Sequence, residues 1–440
     1  MRDVIDFAEI KARDVISRLP DGRYEFSDYL EGFEPNQYTH IRVVMTISGD
    51  EVTVDFTGTD PQIAAAYNIV SGSRTHPYVT QALLSYIITC EPDIPRNAGI
   101  LRPVHVIAPR GTVVNAVFPA PGGSRVAAGT RVYDVMMGCL NQAIPEGLAA
   151  AGSGNVGIIV VTAPHPRTGV NKVNVINPIV GGSGGRRGLD GVDVRYGALR
   201  TVPTEIIEIE TVMRVRRYGI LEDSQSPGRW HGGAALVYEL ENTGLSATMT
   251  VRGMNRFHFQ PWGVRGGAAG RLGKVVRNPG REDETSIGKI NVLTLARGDV
   301  IRIVTPAGGG FGNPLERDID AVLWEVECGL LSVRAARDYY GVVLTEDGRL
   351  DAEATARLRS ERSRERENRA FTLGEAREAY DRLWPTEARA HLASRILEQP
   401  QHLQGVLLAR VRDTVVNAGK AATISETDRL IEQELRRLTA

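Results

Sequence analysis

The beginning of the chain changes from a helical to a strand-like hydrophobic pattern. Residues 3–18 carry apolar side chains at roughly helical spacing, and the run stops at the turn-forming triplet Pro20-Asp21-Gly22. Two segments, residues 41–49 and 51–59, then alternate β-branched with polar positions, and Gly49-Asp50 lies between them. The pattern predicts a helix followed by a β-hairpin.

The middle of the chain combines two helical patterns with many short strands. Residues 77–90 are largely apolar and open with a proline, which suits the first turn of a buried helix. Residues 131–145 carry a second helical pattern that ends at a proline. Residues 102–123 resemble strands interrupted by proline and glycine, and from 155 to 310 short β-branched runs alternate with glycine. We expect a β-rich body with a few packed helices.

The composition changes near residue 315, where glycine becomes sparse and arginine, alanine and glutamate dominate. Helical patterns then continue to the end of the sequence, with breaks at Pro385 and Pro400. We therefore predict an α+β fold in three parts. These are a glycine-rich, β-dominated body (1–315), a helical segment with a charged helix (316–370) and a helical C-terminal extension (371–440).

The C-terminal extension carries two apolar stripes at helical spacing. The first consists of Leu392, Ile396 and Leu397. The second consists of Leu403, Val406, Leu407, Val411 and Val415. Facing stripes of this kind suit an antiparallel helical hairpin. We expect this extension to dock a partner subunit, in preference to the alternative that it caps the chain's own body.

Composition and charge exclude several classes of protein. The chain has 52 basic and 53 acidic residues, so no overall field attracts nucleic acid or an anionic membrane. Its three cysteines lie far apart in sequence, which indicates neither a disulfide framework nor a zinc site. The N-terminus is charged throughout, and no apolar run approaches the ~20 residues that span a bilayer. A cytoplasmic protein is expected.

Local motifs for metal binding and nucleophilic catalysis are missing from the sequence. No two of the eight histidines are three or four residues apart, and no Gly-x-Ser-x-Gly elbow occurs. Asp190/Asp193 and Glu205/Glu208 are pairs of carboxylates that suit acid–base chemistry. The segment around Glu208 and Glu210 has a strand-like pattern, and an exposed polar strand face is the favoured interpretation there.

The stretch TPAGGGFGNPLERD (305–318) contains three consecutive glycines after a strand-like run. A phosphate loop of the Walker type requires a Lys-Ser/Thr pair after its last glycine, and no lysine follows here. A dinucleotide-binding loop requires Gly-x-Gly-x-x-Gly opening into a helix, and this spacing is also absent. The stretch therefore does not predict nucleotide binding.

The most unusual segment is VGGSGGRRGLDGVD (180–193). Its glycines free backbone N–H groups, so Gly182, Ser183, Gly184 and Gly185 suit an anion-binding nest. The segment also supplies a guanidinium for a bidentate clamp and two carboxylates; these residues are Arg186, Asp190 and Asp193. The alternative is a tight crossover that packs against a neighbouring backbone, and the pattern favours neither.

Between about residue 9 and 359 the chain contains, in this order, LPDGRYEFSDYLEG, VDFTGTDPQIAAAYN, PDIPRNAGILRPVHVIAPRGTVVN, GGSGGRRGLDGVD, PTEIIEIE, DSQSPGRWHGG, QPWGVRGG, TPAGGGFGNPLERD and YYGVVL. The order of these segments resembles that of the hydantoinase B/oxoprolinase family. The family includes B subunits of ATP-dependent hydantoinases, the second half of 5-oxoprolinase and large subunits of acetone and acetophenone carboxylases. In similar proteins the triple glycine makes a tight strand-to-helix passage, and ATP is bound by the partner A subunit.

The sequence departs from the family pattern in places. The Asn-Asp-Pro-Tyr segment and the adjacent histidine pair, thought to hold the family's catalytic metal, are absent here. His231 stands where an arginine is usual, and Val212 where a proline is common. The resemblance implies that this chain by itself binds no cofactor. ATP and a divalent metal are expected on partners, namely a hydantoinase-A-type subunit and a metal-bearing subunit of the hydantoinase-B N-terminal type.

The resemblance also implies the chemistry. We expect a complex that phosphorylates the oxygen of a small-molecule carbonyl substrate and hydrolyses a cyclic amide. Two alternatives remain, a subunit of a ketone carboxylase of the acetone/acetophenone type and a non-catalytic scaffold. If the chain contributes to catalysis, Arg186 is expected to hold an anionic intermediate with the backbone around Ser183, while Asp190 or Asp193 orients it or transfers a proton.

Overall fold

A computed structural model describes residues 2–34, 36–144, 146–154, 156–164, 168–194, 201–365 and 369–439. The helices are α1 (Arg2–Ile16), α2 (Pro77–Cys90), α3 (Val126–Ala143), α4 (Thr204–Glu210), α5 (Ile319–Glu327), α6 (Val333–Tyr340), α7 (Ala352–Glu365), α8 (Glu375–Leu383), α9 (Thr386–Leu397), α10 (Gln401–Ala418) and α11 (Ile424–Thr439). The early strands are β1 (Gly22–Glu31), β2 (Tyr38–Ser48), β3 (Glu51–Asp55), β4 (Val104–Ile107), β5 (Val156–Pro164), β6 (Asn171–Val180) and β7 (Met213–Ile220). The later strands are β8 (Leu236–Asn242), β9 (Ser246–Arg252), β10 (Gly263–Val264), β11 (Lys274–Arg277), β12 (Thr285–Ser286), β13 (Leu293–Ala296), β14 (Val300–Val304) and β15 (Phe371–Thr372). The predicted α+β fold is confirmed.

The chain forms two compact units, one of residues 1–148 with 375–440 and one of residues 149–374. These limits differ from the predicted breaks at 315 and 370. The difference arises because the C-terminal helices pack with the N-terminal part of the chain, a long-range arrangement that a shift in composition does not reveal.

The first unit is built on a four-stranded sheet in the order β1-β2-β3-β4. The strands are antiparallel except that β4 runs parallel to β3. The predicted hairpin is confirmed, since Ser48 pairs with Glu51 and Gly49 takes the positive φ that its turn requires. Helix α3 packs on β1 and β2 and buries apolar side chains such as Met136 and Leu140. Between 102 and 123 only β4 is a strand, so the prediction of several strands there was wrong; the prolines and glycines make turns instead.

The C-terminal helices complete the first unit. Helices α9, α10 and α11 contact one another, and α10 also contacts α8. Leu392, Ile396, Leu407, Val411 and Val415, which belong to the two predicted stripes, are buried. Most side chains of the two predicted stripes are therefore buried within the chain itself, as the alternative of a cap requires. Val406 remains exposed.

The second unit contains a five-stranded sheet, β12-β11-β14-β8-β7, and a four-stranded sheet, β13-β9-β5-β6. Both sheets are antiparallel and place apolar side chains in one shared core. Helices α5 and α6 form a smaller core of their own around Val322 and Tyr340. No helix in the described residues has the length and apolar character needed to cross a bilayer.

A layer of glycine-rich main chain lies beside these sheets. Segments around residues 182–185, 231–234, 262–268 and 306–311 donate hydrogen bonds to one another through backbone groups, and we call them the glycine layer. The triple glycine lies in this layer between β14 and the 3₁₀ turn Pro314–Glu316 that precedes α5. It therefore forms the strand-to-helix passage that the resemblance implied.

Candidate functional site

Asp190 lies at the end of a short hairpin on the glycine-rich segment. The hairpin is closed by hydrogen bonds between the backbones of Arg186 and Leu189. One carboxylate oxygen of Asp190 accepts a hydrogen bond from the backbone N–H of His231 at 2.9 Å. Two distant segments, both recognised in the sequence, therefore meet at this carboxylate.

Arg317 binds the same carboxylate with both terminal nitrogens. The Nη1–Oδ1 distance is 2.7 Å and the Nη2–Oδ2 distance is 2.9 Å, which is the bidentate geometry of a strong guanidinium–carboxylate pair. Nη2 also donates to Glu325, and both Arg317 and Glu325 are buried. Arg317 follows the triple-glycine stretch and Glu325 lies on α5, so the strand-to-helix passage brings them to Asp190.

His231 completes the set, and we call Asp190, His231, Arg317 and Glu325 the Asp190 cluster. Its Nδ1 lies 3.0 Å from the carbonyl oxygen of Gly232, and its Nε2 lies 3.1 Å from Glu325 Oε1 and 3.5 Å from Asp190 Oδ2. The side-chain nitrogen of Gln225 also lies 3.4 Å from Nε2, but the nearer Glu325 oxygen and the Gly232 carbonyl are acceptors, and they favour the doubly protonated imidazolium. Burial lowers the pKa of His231, but the hydrogen bond with Glu325 and the charges of Asp190 and Glu325 outweigh burial and raise that pKa.

The charge balance of the Asp190 cluster explains why these groups tolerate burial. Two carboxylates meet one guanidinium and one imidazolium, so the set is neutral when His231 is protonated. Burial raises the pKa of the Asp190 carboxyl, but the hydrogen bond from Arg317 and the positive charge of His231 lower it overall. Asp190 therefore stays ionised, which suits a positioning role better than proton donation.

Asp190, His231 and Glu325 each offer one ligand atom, and these atoms lie within 4.8 Å of one another. By distance alone they could surround a cation. However, both carboxylates are already bound to Arg317, and the favoured imidazolium has no lone pair to donate. A divalent cation would have to displace the guanidinium, so the donor set fits an ion-pair network and does not fit a metal site.

The Asp190 cluster opens on one side to a surface depression of about 500 Å³. The side chain of Asp190 is 37% exposed there, in contrast to the buried Arg317. The wall includes Trp230, with the guanidinium of Arg229 stacked over its ring at 4.8 Å. The remaining lining residues are Gly188, Leu189, Glu316, Asp318 and Ala321. An aromatic ring, three carboxylates and two arginines thus line one depression.

The backbone of the predicted anion nest has internal partners. The N–H groups of Gly182, Ser183 and Gly185 donate to carbonyl oxygens at 3.3, 3.0 and 2.9 Å, and the Ser183 hydroxyl accepts from Val192 N at 2.7 Å. A Cβ at Gly182 or Gly184 would overlap a neighbouring main chain. Both observations favour the alternative of a tight crossover for this segment.

The three predicted catalytic side chains lie in different settings. Only Asp190 belongs to the Asp190 cluster. Asp193 is half-buried and accepts a hydrogen bond from Ala234 N at 2.6 Å, which fixes the glycine layer. Arg186 is exposed to solvent. Arg317 lies in the stretch TPAGGGFGNPLERD that carries the family resemblance, and His231 departs from the family's usual arginine, so both carried a signal. Glu325 was missed because no local motif marks it.

The carboxylates near residue 208 lie on helix α4, so the predicted strand was wrong. Its first residue follows Pro203, which is compatible with a helix start, and Ile207 is its buried side chain. Glu208 accepts a hydrogen bond from Val215 N at 2.9 Å, and Glu210 pairs with Lys172. These carboxylates are exposed on the surface, which agrees with the non-catalytic interpretation.

Comparison with known proteins gives the family. The profile described as hydantoinase B/oxoprolinase matches residues 1–314. The chain belongs to the hydantoinase B/oxoprolinase family. The matched region contains the glycine layer together with Asp190 and His231 of the Asp190 cluster. Arg317 and Glu325, the other two members of the cluster, follow directly after it.

Relatives in this family are longer than the chain. A protein assigned as the B component of a D-/L-hydantoinase of Pseudomonas sp. (strain NS671) is 30% identical over 81% of this chain and 62% of its own length. The beta component of caprolactamase of Pseudomonas jessenii is 29% identical over 80% of this chain and 61% of its own length. The chain thus spans about three fifths of these relatives.

Two solved structures share the fold. The ATP-dependent caprolactamase from Pseudomonas jessenii superposes with a TM-score of 0.68 at 27% identity, covering 82% of this chain and 63% of the other. A nucleotide-free acetone carboxylase gives a TM-score of 0.67 at 16% identity, covering 94% of this chain and 60% of the other. At that identity the second likeness concerns the fold alone.

Proposed function

We propose that the chain is part of an ATP-dependent enzyme of the hydantoinase/oxoprolinase type that hydrolyses a cyclic amide. The observation that carries this proposal is the set of relatives, which are named as a hydantoinase component, a caprolactamase component and 5-oxoprolinases. Hydantoins, caprolactam and 5-oxoproline all contain an amide within a ring. The amide linkage is therefore the shared feature of the proposed substrate.

The proposed chemistry activates the ring carbonyl with ATP. Transfer of the γ-phosphate to the amide oxygen releases ADP and makes the ring carbon more electrophilic. In this proposal water attacks that carbon, the C–N bond breaks as the ring nitrogen takes up a proton and leaves as an amine, and a second water hydrolyses the resulting acyl phosphate to carboxylate and phosphate. In this proposal ATP is bound by a hydantoinase-A-type subunit, and the divalent metal lies on the hydantoinase-B-type part that this chain does not match. The name of the caprolactamase structure, which includes ATP dependence, supports the nucleotide requirement.

The chain's own contribution in this proposal is anion binding beside the Asp190 cluster. Arg186 is exposed on the hairpin that ends at Asp190, so its guanidinium is accessible to a phosphorylated or carboxylate intermediate. Asp190 is positioned by Arg317, and Asp193 by its hydrogen bond with Ala234 N. The backbone amides around Ser183 contribute by fixing the hairpin.

The complex itself tests the function. The tagged full chain is purified with its partner subunits from its source organism, and ATP-dependent phosphate release is measured with hydantoin, 5-oxoproline and caprolactam. Stimulation by one of these rings, with ring opening, is expected. Stimulation by acetone with bicarbonate instead would identify a ketone carboxylase. Phosphate release that responds to neither class would contradict both chemistries and favour a scaffold.

Arg186→Ala in the same complex tests the anion contact. A charge-assisted bidentate contact contributes roughly 1.5–3 kcal/mol, so turnover should fall about ten- to a hundredfold while the composition of the complex stays unchanged. Arg334→Ala is the matched control, because Arg334 is highly exposed and its ion pair is with Asp338 on the same helix, α6. Equal turnover in the two variants would remove Arg186 from the proposal.

A further inference from the structure

The four-stranded sheet of the second unit has one face in the core and one face outside it. Core side chains such as Ile159, Val161 and Met249 lie on the inner face. The opposite side chains form what we call the outer face: Ile158, Val160 and Thr162 on β5, Val173 and Val175 on β6, and Thr248 and Thr250 on β9. Every member of this set is β-branched and uncharged, whereas Asn171, Ser246 and Arg252 extend the same face at the strand ends.

The strand register makes the outer face continuous. Val160 is paired with Val175 on one side and with Thr250 on the other. Thr162 is paired with Val173 and with Thr248 in the next row of the same face. Directly paired side chains lie about 5 Å apart, so the two rows form one patch. Arg252, opposite Ile158, adds a charge only at one end.

A sheet face of this kind is unusual in contact with water. The solvent side of an antiparallel sheet normally carries polar and charged residues. Here Val173 is 62% exposed and Val175 is 54% exposed, both on β6. In the described part of the chain β6 is also the last strand of its sheet, so its outer edge pairs with no further strand. Exposed β-branched side chains and an unpaired edge together favour a protein partner.

We propose that the outer face docks the part of the hydantoinase-B sequence that this chain does not match. This inference rests on the proposed function, because it takes the chain to act with that part. About two fifths of each relative's sequence lies outside the aligned region, and the relatives hold both parts in one protein. The β-branched side chains suit an apolar polypeptide face, and the single basic residue Arg252 at one end is too little positive charge for nucleic acid or an anionic membrane.

Photo-crosslinking identifies the occupant directly. The full chain carrying Val175→p-benzoyl-phenylalanine is expressed with a tag in its source organism, irradiated, and its crosslinked partners are identified by mass spectrometry. The expected product joins position 175 to a polypeptide that matches the hydantoinase-B family outside the region aligned here. Val70 of the first unit is 61% exposed and provides the matched control position. Crosslinks from 175 only to a second copy, to another protein or to none would overturn the inference.

Lysine substitutions on the outer face measure how much this face contributes to binding of the docked polypeptide. Val173→Lys/Val175→Lys introduces two charges that must be desolvated on docking, so binding of that polypeptide should weaken at least about tenfold, while Val70→Lys leaves it unchanged. Circular dichroism of each purified full chain checks that the fold is kept. If the complex still assembles and hydrolyses cyclic amides with both lysines present, the docking inference fails and the proposed function stands. If the wild-type complex forms through position 175 but shows no ATP-dependent amidohydrolase activity, the proposed function fails instead.

Discussion

The two compact units both contain buried arginine–carboxylate pairs, but they use them differently. In the first unit Arg377, Arg389 and Arg412 from the C-terminal helices meet Asp28, Asp60 and Asp381, and we call this set the tail cluster. Arg412 and Asp60 are almost fully buried and are joined by two hydrogen bonds of 2.8 and 2.9 Å. In the Asp190 cluster, by contrast, the carboxylate held by Arg317 reaches a surface depression.

Two histidines, one beside the tail cluster and one within the Asp190 cluster, show how the electrostatic settings of the clusters differ. His40 lies beside the tail cluster, where burial and the charges of Arg389 and Arg412 hold its pKa well below the usual range. His231 has carboxylates as neighbours, and they raise its pKa against the effect of burial. The first arrangement fastens the C-terminal helices to the sheet. The second arrangement holds two positive and two negative side chains beside a surface depression, which is the setting expected of a functional site.

Removal of residues 375–440 should have the largest effect. It would leave Asp60 buried without Arg412 and uncover the sheet where the C-terminal helices pack, so residues 1–148 should lose their cooperative fold. Limited proteolysis and hydrogen exchange of the shortened chain test this, with a chain lacking only 436–440 as control. A truncated protein whose strands β1–β4 stay protected would show that the C-terminal helices are an accessory.

Arg412→Met should destabilise the first unit strongly. The variant leaves Asp60 as an unpaired buried charge, which costs about 3–5 kcal/mol in unfolding free energy. Urea denaturation measures the loss, and the exposed Arg436→Met on α11 should change stability by less than about 0.5 kcal/mol. Similar midpoints for the two variants would mean that Asp60 finds another partner or takes up a proton.

Arg317→Met should lower the free energy of unfolding by less than Arg412→Met does, about 2–3 kcal/mol. Water reaches Asp190, and His231 still neutralises Glu325. Urea denaturation of the second unit, followed through hydrogen exchange, gives the value. Arg229→Met is the control, since its contact with Glu316 is exposed to solvent. A loss as large as that of Arg412→Met would indicate that the two clusters are equally closed to water.

The pH dependence of stability should separate the two histidines by sign. The raised pKa of His231 contributes stability that is fully present below the unfolded value of about 6.5 and is lost as pH rises through the folded pKa. The lowered pKa of His40 contributes stability that is present above about 6.5 and is lost as pH falls below that value. Each slope is at most about 1.4 kcal/mol per pH unit.

Unfolding free energies of wild type, His231→Gln and His40→Gln between pH 5 and 8 check these signs. The difference between wild type and His231→Gln should shrink towards high pH, and that between wild type and His40→Gln should shrink towards low pH. Parallel curves for all three proteins would contradict both assignments.

Local patterns in the sequence predicted the elements well where one residue type decides the structure. Pro77 marks the start of α2, and Gly49 takes the positive φ of the predicted hairpin turn. The same reasoning failed at Glu208, because a short amphipathic segment after a proline suits a helix as readily as a strand. The Asp190 cluster could not be predicted as a whole. Its arginine and glutamate come from a later segment, and only the long-range packing of the glycine layer brings them together.

That packing also has a consequence for the folding pathway. The glycine layer joins backbone groups far apart in the chain, such as Gly185 with Gly309 and Gly182 with Pro306. Glycine loses more conformational freedom on ordering than any other residue, and contacts between distant positions must first close long loops. The layer should therefore form late, after the hairpins of each sheet. During synthesis the depression beside Asp190 would form only after α5 has been made.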